Sequence, residues 1–509
     1  MNSFQRKSLY AALAGVGALG ATGAADAVNL NPDGLGNVLI YPYYTVRSDA
    51  AGNAYNSLLT VVNTTFSVKA VKVRFLEGRD SREVIDFNLF LSPYDVWTAG
   101  LIPSPSSGGG RLVTFDKSCT LPPIATTQGG QGFVDFVNFA YSGTADDGAG
   151  NDLDRTKEGY VEIIEMATYA TFQTVGFAVT HGNGKVAGQP DCKPLSDGLA
   201  SHEQNIVNGG LFGGMTLIDV GAGTDYTEDA VALDNFTVDE SIYTAEGTTT
   251  PDLTFAFPAA SQVVAENAVY TSLWNTGPDP VSAVLMHAEV MNTYVLDPGT
   301  KSGSDWVVTF PTKRFYVRHG TGLAPKLFQR NFNGVAGSCD DVTLSIWDRE
   351  ENALSTPATF SPPPPTQGNS ICWEANVVTF NNSNVLASQN PGTKIVTQNI
   401  PATSIPGIDG WMNLGFFPTS ITGTVHELIS TDTEVTTIFG SSGTTATYFG
   451  LPVVGFEVES YTNGTLNVGG TNVLSSYGGN FVHKYFTFIA PPANGTIPPA
   501  KVGRNAKSK

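Results

Sequence analysis

A period of two constrains this chain more than any other feature. "KAVKVRFLE", Lys69 to Glu77, alternates so that Val71, Val73 and Phe75 fall on one side of an extended backbone and Lys72 and Arg74 on the other. Runs of the same kind recur: "NVLIYPYYTV", "SLLTVVNTT", "REVIDFNLFLS", "YVEIIEM", "FQTVGFAVTH", "AVLMHAEVM", "WVVTF", "RFYVRHG", "PVVGFEVESY" and "FVHKYFTFI". All are short and rich in Val, Ile, Thr, Phe and Tyr, and turn residues separate them, drawn from 55 Gly and 30 Pro with Asn and Asp. Helical spacing is scarce, with "ASHEQNIVNGG" from Ala200 the one short candidate. The pattern predicts an all-β protein of antiparallel sheets, each with one apolar face buried and one polar face in water. Many short strands with turns between them predict sandwiches.

The strands also echo one another. "SPYDVWTAGLIPS", Ser92 to Ser104, has a counterpart in "SGSDWVVTFPTK", Ser302 to Lys313. "NAYNSLLTVVNTT" from Asn53 pairs with "NAVYTSLWNTG" from Asn267, and Cys119 with Cys339. "PPIATTQGGQGFVDFVNF" from Pro122 pairs with "PPPPTQGNSICWEANVVTF" from Pro362, and "EGYVEI" from Glu158 with "DGWMNL" from Asp409. "LFGGMTLIDV" from Leu211 pairs with "YFGLPVVGFEV" from Tyr448, and "LTFAFPAA" from Leu253 with "FTFIAPPA" from Phe486. The order never breaks, which predicts two tandem related β-sandwich (Ig-like) units over 28–260 and 261–493. Asp95 and Asp305 then belong to turns, and Trp97 and Trp306 to two separate cores.

The first residues predict export. Arg6 and Lys7 precede a short apolar run, Leu9 to Ala21, and Ala25-Asp26-Ala27 is a small-x-small cleavage site. That is a Sec-type signal peptide over 1–27, with the mature chain starting near Val28. The destination is the periplasm, the outer surface or the medium. No later stretch is long and apolar enough for a helical membrane span. Residues 494–509 form a basic tail with Lys501, Arg504, Lys507 and Lys509. A net charge of −19 repels phosphate backbones and argues against nucleic-acid binding. Four cysteines in an exported chain predict two disulfides. Of the three pairings, Cys119–Cys192 with Cys339–Cys372 keeps each bridge within one half.

Catalytic motifs are not apparent. None of His181, His202, His287, His319, His426 and His483 belongs to an HExxH, and packing is the expected role of His287 and His483. There is no GxSxG, no Walker spacing around "HGNGK", and no CxxC for zinc. Glu162 and Glu165 fall on opposite faces of a strand, which rules them out as a glycosidase pair. The acidic loop "DDGAGNDLDRTKE" offers Asp146, Asp147, Asn151, Asp152 and Asp154 as a calcium ligand set, the only cofactor the sequence suggests. "DYTEDAVALD" from Asp225 is a less clustered second acidic stretch. Tyr41, Tyr43 and Tyr55 would stack on sugars if exposed, with core packing as the alternative.

Three stretches, "GLGNVLIYPYYT", "VKVRFLEGRDSREVIDFNLFLSPYDVW" and "SDWVVTFPTKRFYV", give the chain a resemblance to uncharacterised secreted β-rich proteins of Gram-negative bacteria. The resemblance covers most of the mature chain and implies no activity and no catalytic residues. The expected role is that of an exported non-enzymatic structural or adhesion protein of the envelope or medium, with itself or envelope glycans as partner. The alternatives are a secreted carbohydrate-binding protein or polysaccharide hydrolase, and an outer-membrane β-barrel.

Overall fold

The computed structural model describes residues 26–49, 52–126, 130–182, 188–238, 240–318, 327–328, 330–354, 369–388, 397–416, 426–437 and 440–490. Residues 1–25, which hold most of the expected signal peptide, His319 and the basic tail lie outside the described residues. No helix among them is long and apolar enough to cross a membrane.

The fold is all-β, as the period of two predicts. Sheet 1 has seven strands in the order Asn29–Leu30, Val231–Asp234, Val38–Thr45, Glu158–Tyr169, Val68–Glu77, Glu83–Leu91 and Cys119–Leu121. Sheet 2 orders Thr224–Asp229, Leu211–Asp219, Tyr55–Asn63, Val96–Pro103, Gly110–Thr114, Gly132–Asp135 and Ala125–Thr126. They face each other across one core. Val71, Val73 and Phe75 of sheet 1 enter it as expected, opposite Leu59, Val61 and Trp97 of sheet 2. Burying each such side chain stabilises the fold by about 1.5–3 kcal/mol.

Sheet 3 orders Thr397–Ile400, Ala375–Phe380, Ser302–Thr309, Phe456–Val468 and Thr471–Val482. Sheet 4 orders Asn369–Ile371, Asp340–Asp348, Asp409–Gly415, Glu289–Val295 and Lys484–Phe486. Trp306 and Val308 of sheet 3 pack with Leu344, Ile346, Met412 and Leu414 of sheet 4 in a second core. The other face of sheet 3 sends Val307, Val377, Phe456 and Val458 into the first core. Sheet 3 is thus covered on both faces at its centre, where apolar neighbours stand side by side in Trp306-Val307-Val308 and Val377-Val378. The sheets described are open arrays with distinct end strands, unlike the closed membrane barrel considered from the sequence.

Lys72 and Arg74 depart from expectation. They do not face water: both are buried, because residues 236–256 and the helix Pro278–Val284 cover the outer face of sheet 1. Lys72 Nζ donates to Asp86 Oδ2 (3.0 Å) and the Thr248 carbonyl (3.2 Å). Arg74 bridges Glu83 (2.9 Å) and Glu162 (2.6 Å). Three local assignments also change. Thr174–Val179 and Arg314–Val317, both read as strand, are helical. In the first, Val175, Ala178 and Val179 are buried while Phe177 is exposed, a three-to-four spacing that β-branched composition masks. The helix sought near Ala200 is only the short turn Leu199–Ser201.

Both disulfides pair as the sequence reading chose, Cys119 with Cys192 and Cys339 with Cys372. Trp97 and Trp306 occupy separate cores, also as expected. Their strands, however, have different neighbours. Trp97 lies on Val96–Pro103, beside Tyr55–Asn63. The stretch matched to that neighbour, Ala268–Leu273, sits in a four-stranded sheet with Ala260–Ala265, Asp432–Thr437 and Gly440–Thr444, away from the strand of Trp306. Asp95 is a turn residue that accepts from the Ser92 amide (2.9 Å). Asp305 is instead buried mid-strand, accepting from the Leu386 amide (2.9 Å) and Ser383 Oγ (2.9 Å), and burial pushes its carboxyl up.

Candidate functional site

The outer face of sheet 4 carries an arrangement that sequence reasoning missed. Antiparallel register places Trp347 opposite Trp411, Ser345 opposite Asn413 and Thr343 opposite Gly415. The next strand sets Thr293 beside Trp411, Met291 beside Asn413 and Glu289 beside Gly415. Val342, Leu344, Ile346, Met412 and Leu414 take the alternate positions and fill the core, so the tryptophans project from the opposite face. The indoles stack at 4.3 Å with 16° between planes, and Trp411 stays 40% exposed. The backbones meet closely here: a Cβ at Gly410 would run into the Trp347 carbonyl oxygen, so only glycine fits. One row away, about 7 Å along the strands, Asn413 Nδ2 donates to Glu289 Oε2 (2.9 Å). Asn413 Oδ1 has no partner among the described residues. Lys484 stands at the far side of that row, opposite Met291. An aromatic ledge flanked by a polar row is suited to a ring with one C–H face and a rim of hydroxyls.

The signal for this face is a phase break. In "TLSIWDRE" Trp347 is out of step with Leu344 and Ile346, and in "DGWMNL" Trp411 is out of step with Met412 and Leu414. The tyrosines considered for sugar stacking are core residues. Tyr41 OH donates to the Thr60 carbonyl (2.7 Å), Tyr43 OH to Glu158 Oε2 (2.5 Å) and Tyr55 OH to the Val385 carbonyl (2.7 Å).

The acidic loop turns inward, toward arginine. Asp147 grips Arg155 through both oxygens (2.8 Å each), and Arg155, fully buried over the Tyr141 ring, also reaches Glu77 (2.9 Å). Asp154 pairs with Arg47 (3.0 Å) and Lys157 (2.9 Å). Burial raises the Asp147 and Asp154 carboxyls, but Arg155 and Arg47 outweigh it and leave both below the usual carboxylate range. Asp146 Oδ1 accepts from the Gly148 amide (2.8 Å), while Asn151 and Asp152 use their backbone carbonyls. No group of three His, Cys, Asp or Glu suited to a metal forms among the described residues, so the proposed calcium set is not assembled. In the second acidic stretch, burial pushes Glu228 up to about 7.

Three arrangements resemble catalytic groups and fail on geometry. Ser118, His181 and Asp95 converge, with His181 Nε2 3.3 Å from Ser118 Oγ and 3.5 Å from Asp95 Oδ2. Both partners meet the same ring nitrogen, whereas a relay needs the carboxylate on one nitrogen and the hydroxyl on the other. Glu162 and Glu165 diverge as predicted: the first serves Arg74 and the second Lys69 (2.6 Å). Glu457 and Glu459 lie side by side on one face of their strand, and Glu457 is fully buried. Burial, then Glu459, push its carboxyl up to about 10. It holds its proton at neutral pH, but no substrate reaches it. His287 stacks on Tyr485 (4.1 Å) and His483 donates to the Val307 carbonyl (2.9 Å). Burial pushes them down to about 3 and about 4, so both are neutral packing residues.

Compared with protein-family models, curated proteins and solved structures, the chain matches none.

Proposed function

We propose that this is an exported, non-enzymatic adhesion or scaffold protein that holds envelope or extracellular glycans on the outer face of sheet 4. The observation that carries the reading is the stacked, half-exposed pair Trp347 and Trp411 beside Ser345, Asn413 and Glu289. Exposed aromatic area of this kind is costly in water unless a partner covers it. A signal-like N-terminus and two disulfides favour an oxidising compartment outside the cytoplasm. Binding is favoured over hydrolysis because the Glu457–Glu459 pair is sealed between sheets and the Ser118–His181–Asp95 group shares one nitrogen.

Affinity electrophoresis through gels containing purified polysaccharides tests the reading. The intact chain is expected to be retarded by at least one polysaccharide and to release no reducing sugar from it, and Trp411→Ala is expected to run unretarded. Equal mobility of the two proteins in every gel, or steady release of reducing ends, would sink it. Self-association is a second reading, favoured by Phe66 and Tyr94, which are 73% and 71% exposed on neighbouring loops. Mass per particle in solution tests it, and a monomer at high concentration counts against it.

A further inference from the structure

The covered face of sheet 1 contains a cavity of about 160 Å³, several times the ~30 Å³ that one water takes in the liquid. It is lined by four arginines, Arg74, Arg82, Arg314 and Arg318, against two carboxylates, Glu83 and Asp252. Most of these charges are already engaged. Arg74 holds Glu83 and Glu162, Arg82 holds Asp80 (2.5 Å), and Arg314 reaches Glu162 (3.4 Å) and Asp252 (3.8 Å). Glu374 accepts from Ser81 Oγ (3.1 Å) and the Arg314 amide (3.2 Å).

Arg318 differs from the other three. Its guanidinium donates only to the backbone carbonyls of Asp80 (3.3 Å) and Ser81 (3.4 Å), and it forms no ion pair among the described residues. Its Nε and that of buried Arg314 have no hydrogen-bond partner among them either. Burial, and after it the neighbouring Arg314, push the Arg318 guanidinium below its usual range. A buried charge without a close counter-charge is costly to hold. Asp80 and Glu374 attract the Arg318 guanidinium and oppose that shift, but neither forms an ion pair with it, and its Nε donor is left to take an oxygen from outside. A planar guanidinium presents paired donors whose spacing matches two oxygens of a phosphoryl or sulfuryl group.

We propose that this cavity is an oxyanion site, in which Arg318 and Arg314, with Arg82 and Arg74 beside them, take a phosphate- or sulfate-type group. Titration calorimetry on the full chain at fixed ionic strength tests it, with inorganic phosphate, sulfate and glycerol phosphate as probes and chloride as control. Saturable heat is expected with phosphate or sulfate and none with chloride. Heat with glycerol phosphate as well makes the ligand a head group on a larger molecule; heat with the free ions alone makes it a free ion, and both support the site. Arg318→Gln is expected to weaken binding at least tenfold. Should that variant misfold, Thr249→Glu places a negative charge at an exposed position on the rim and is expected to do the same. Absence of saturable heat with all three probes, or unchanged affinity in a folded Arg318→Gln or Thr249→Glu variant, overturns the proposal.

Discussion

The outer faces of sheets 1 and 4 begin from the same sequence grammar and end in opposite environments. Both come from strands that alternate apolar and polar residues, and both send the apolar set into a core. On sheet 1 the other set includes Lys72, Arg74 and Glu162, all of them buried. On sheet 4 it includes Thr343, Ser345, Trp347 and Asn413, half-buried, and Trp411, exposed. Charged residues thus lie under cover and tryptophans reach toward water, the reverse of a simple hydropathy rule. Alternation shows that two environments differ; it does not say which one is solvent.

The contrast can be broken at its strongest point first. Glu162→Ala would leave Arg74 and Arg314 without their shared carboxylate. The expected loss is about 3–5 kcal/mol by denaturant unfolding, and a loss under about 1 kcal/mol would mean that this face is wet.

The interior between sheets 3 and 4 sharpens the comparison, since Glu457 has no cation paired with it there. Its folded pKa, about 10, lies above the ordinary 4.5. The fold therefore carries no penalty from this group below pH 4.5, a growing one as pH rises, and the full one above pH 10. At pH 7 the penalty is about 3 kcal/mol. Glu457→Gln is expected to unfold at a higher temperature than wild type at pH 7–9 and to match it near pH 4. A melting curve that stays parallel to wild type across that range would refute the assignment.

The smallest effect belongs to the open face. The double variant Trp347→Ala/Trp411→Ala is expected to cost only about 0.2–1 kcal/mol, the scale of one cross-strand pair, while abolishing retardation by polysaccharide. A loss of several kcal/mol would make the pair structural.

Much of the fold was legible where short-range rules decide it. Val71, Val73 and Phe75 fall in the core because a strand has a period of two, and Asn63 makes the turn expected of it by accepting from the Thr65 amide (3.0 Å). The disulfide pairs followed from keeping each bridge local. What failed depended on distant chain. Lys72 and Arg74 are covered by segments more than 160 residues further on, and no local pattern could announce that. The matched segments around Trp97 and Trp306 share composition, yet hydrogen-bond partners are chosen by the whole chain, and they differ. The candidate face was legible in principle, as two tryptophans out of phase with their strands. The arginine cavity was not, because its charged residues come from three separate stretches.

Sheet 3 sets an order of events. The first core, built mostly from residues 39–232, is completed by Phe456 and Val458. A chain emerging from its N-terminus can form sheets 1 and 2 early, but part of their apolar surface stays uncovered until Phe456 and Val458, within the last 35 residues of the described chain, arrive. While the chain is being made, that interval is the period of greatest exposure to aggregation. A fragment ending at residue 260 carries the same exposed surface permanently.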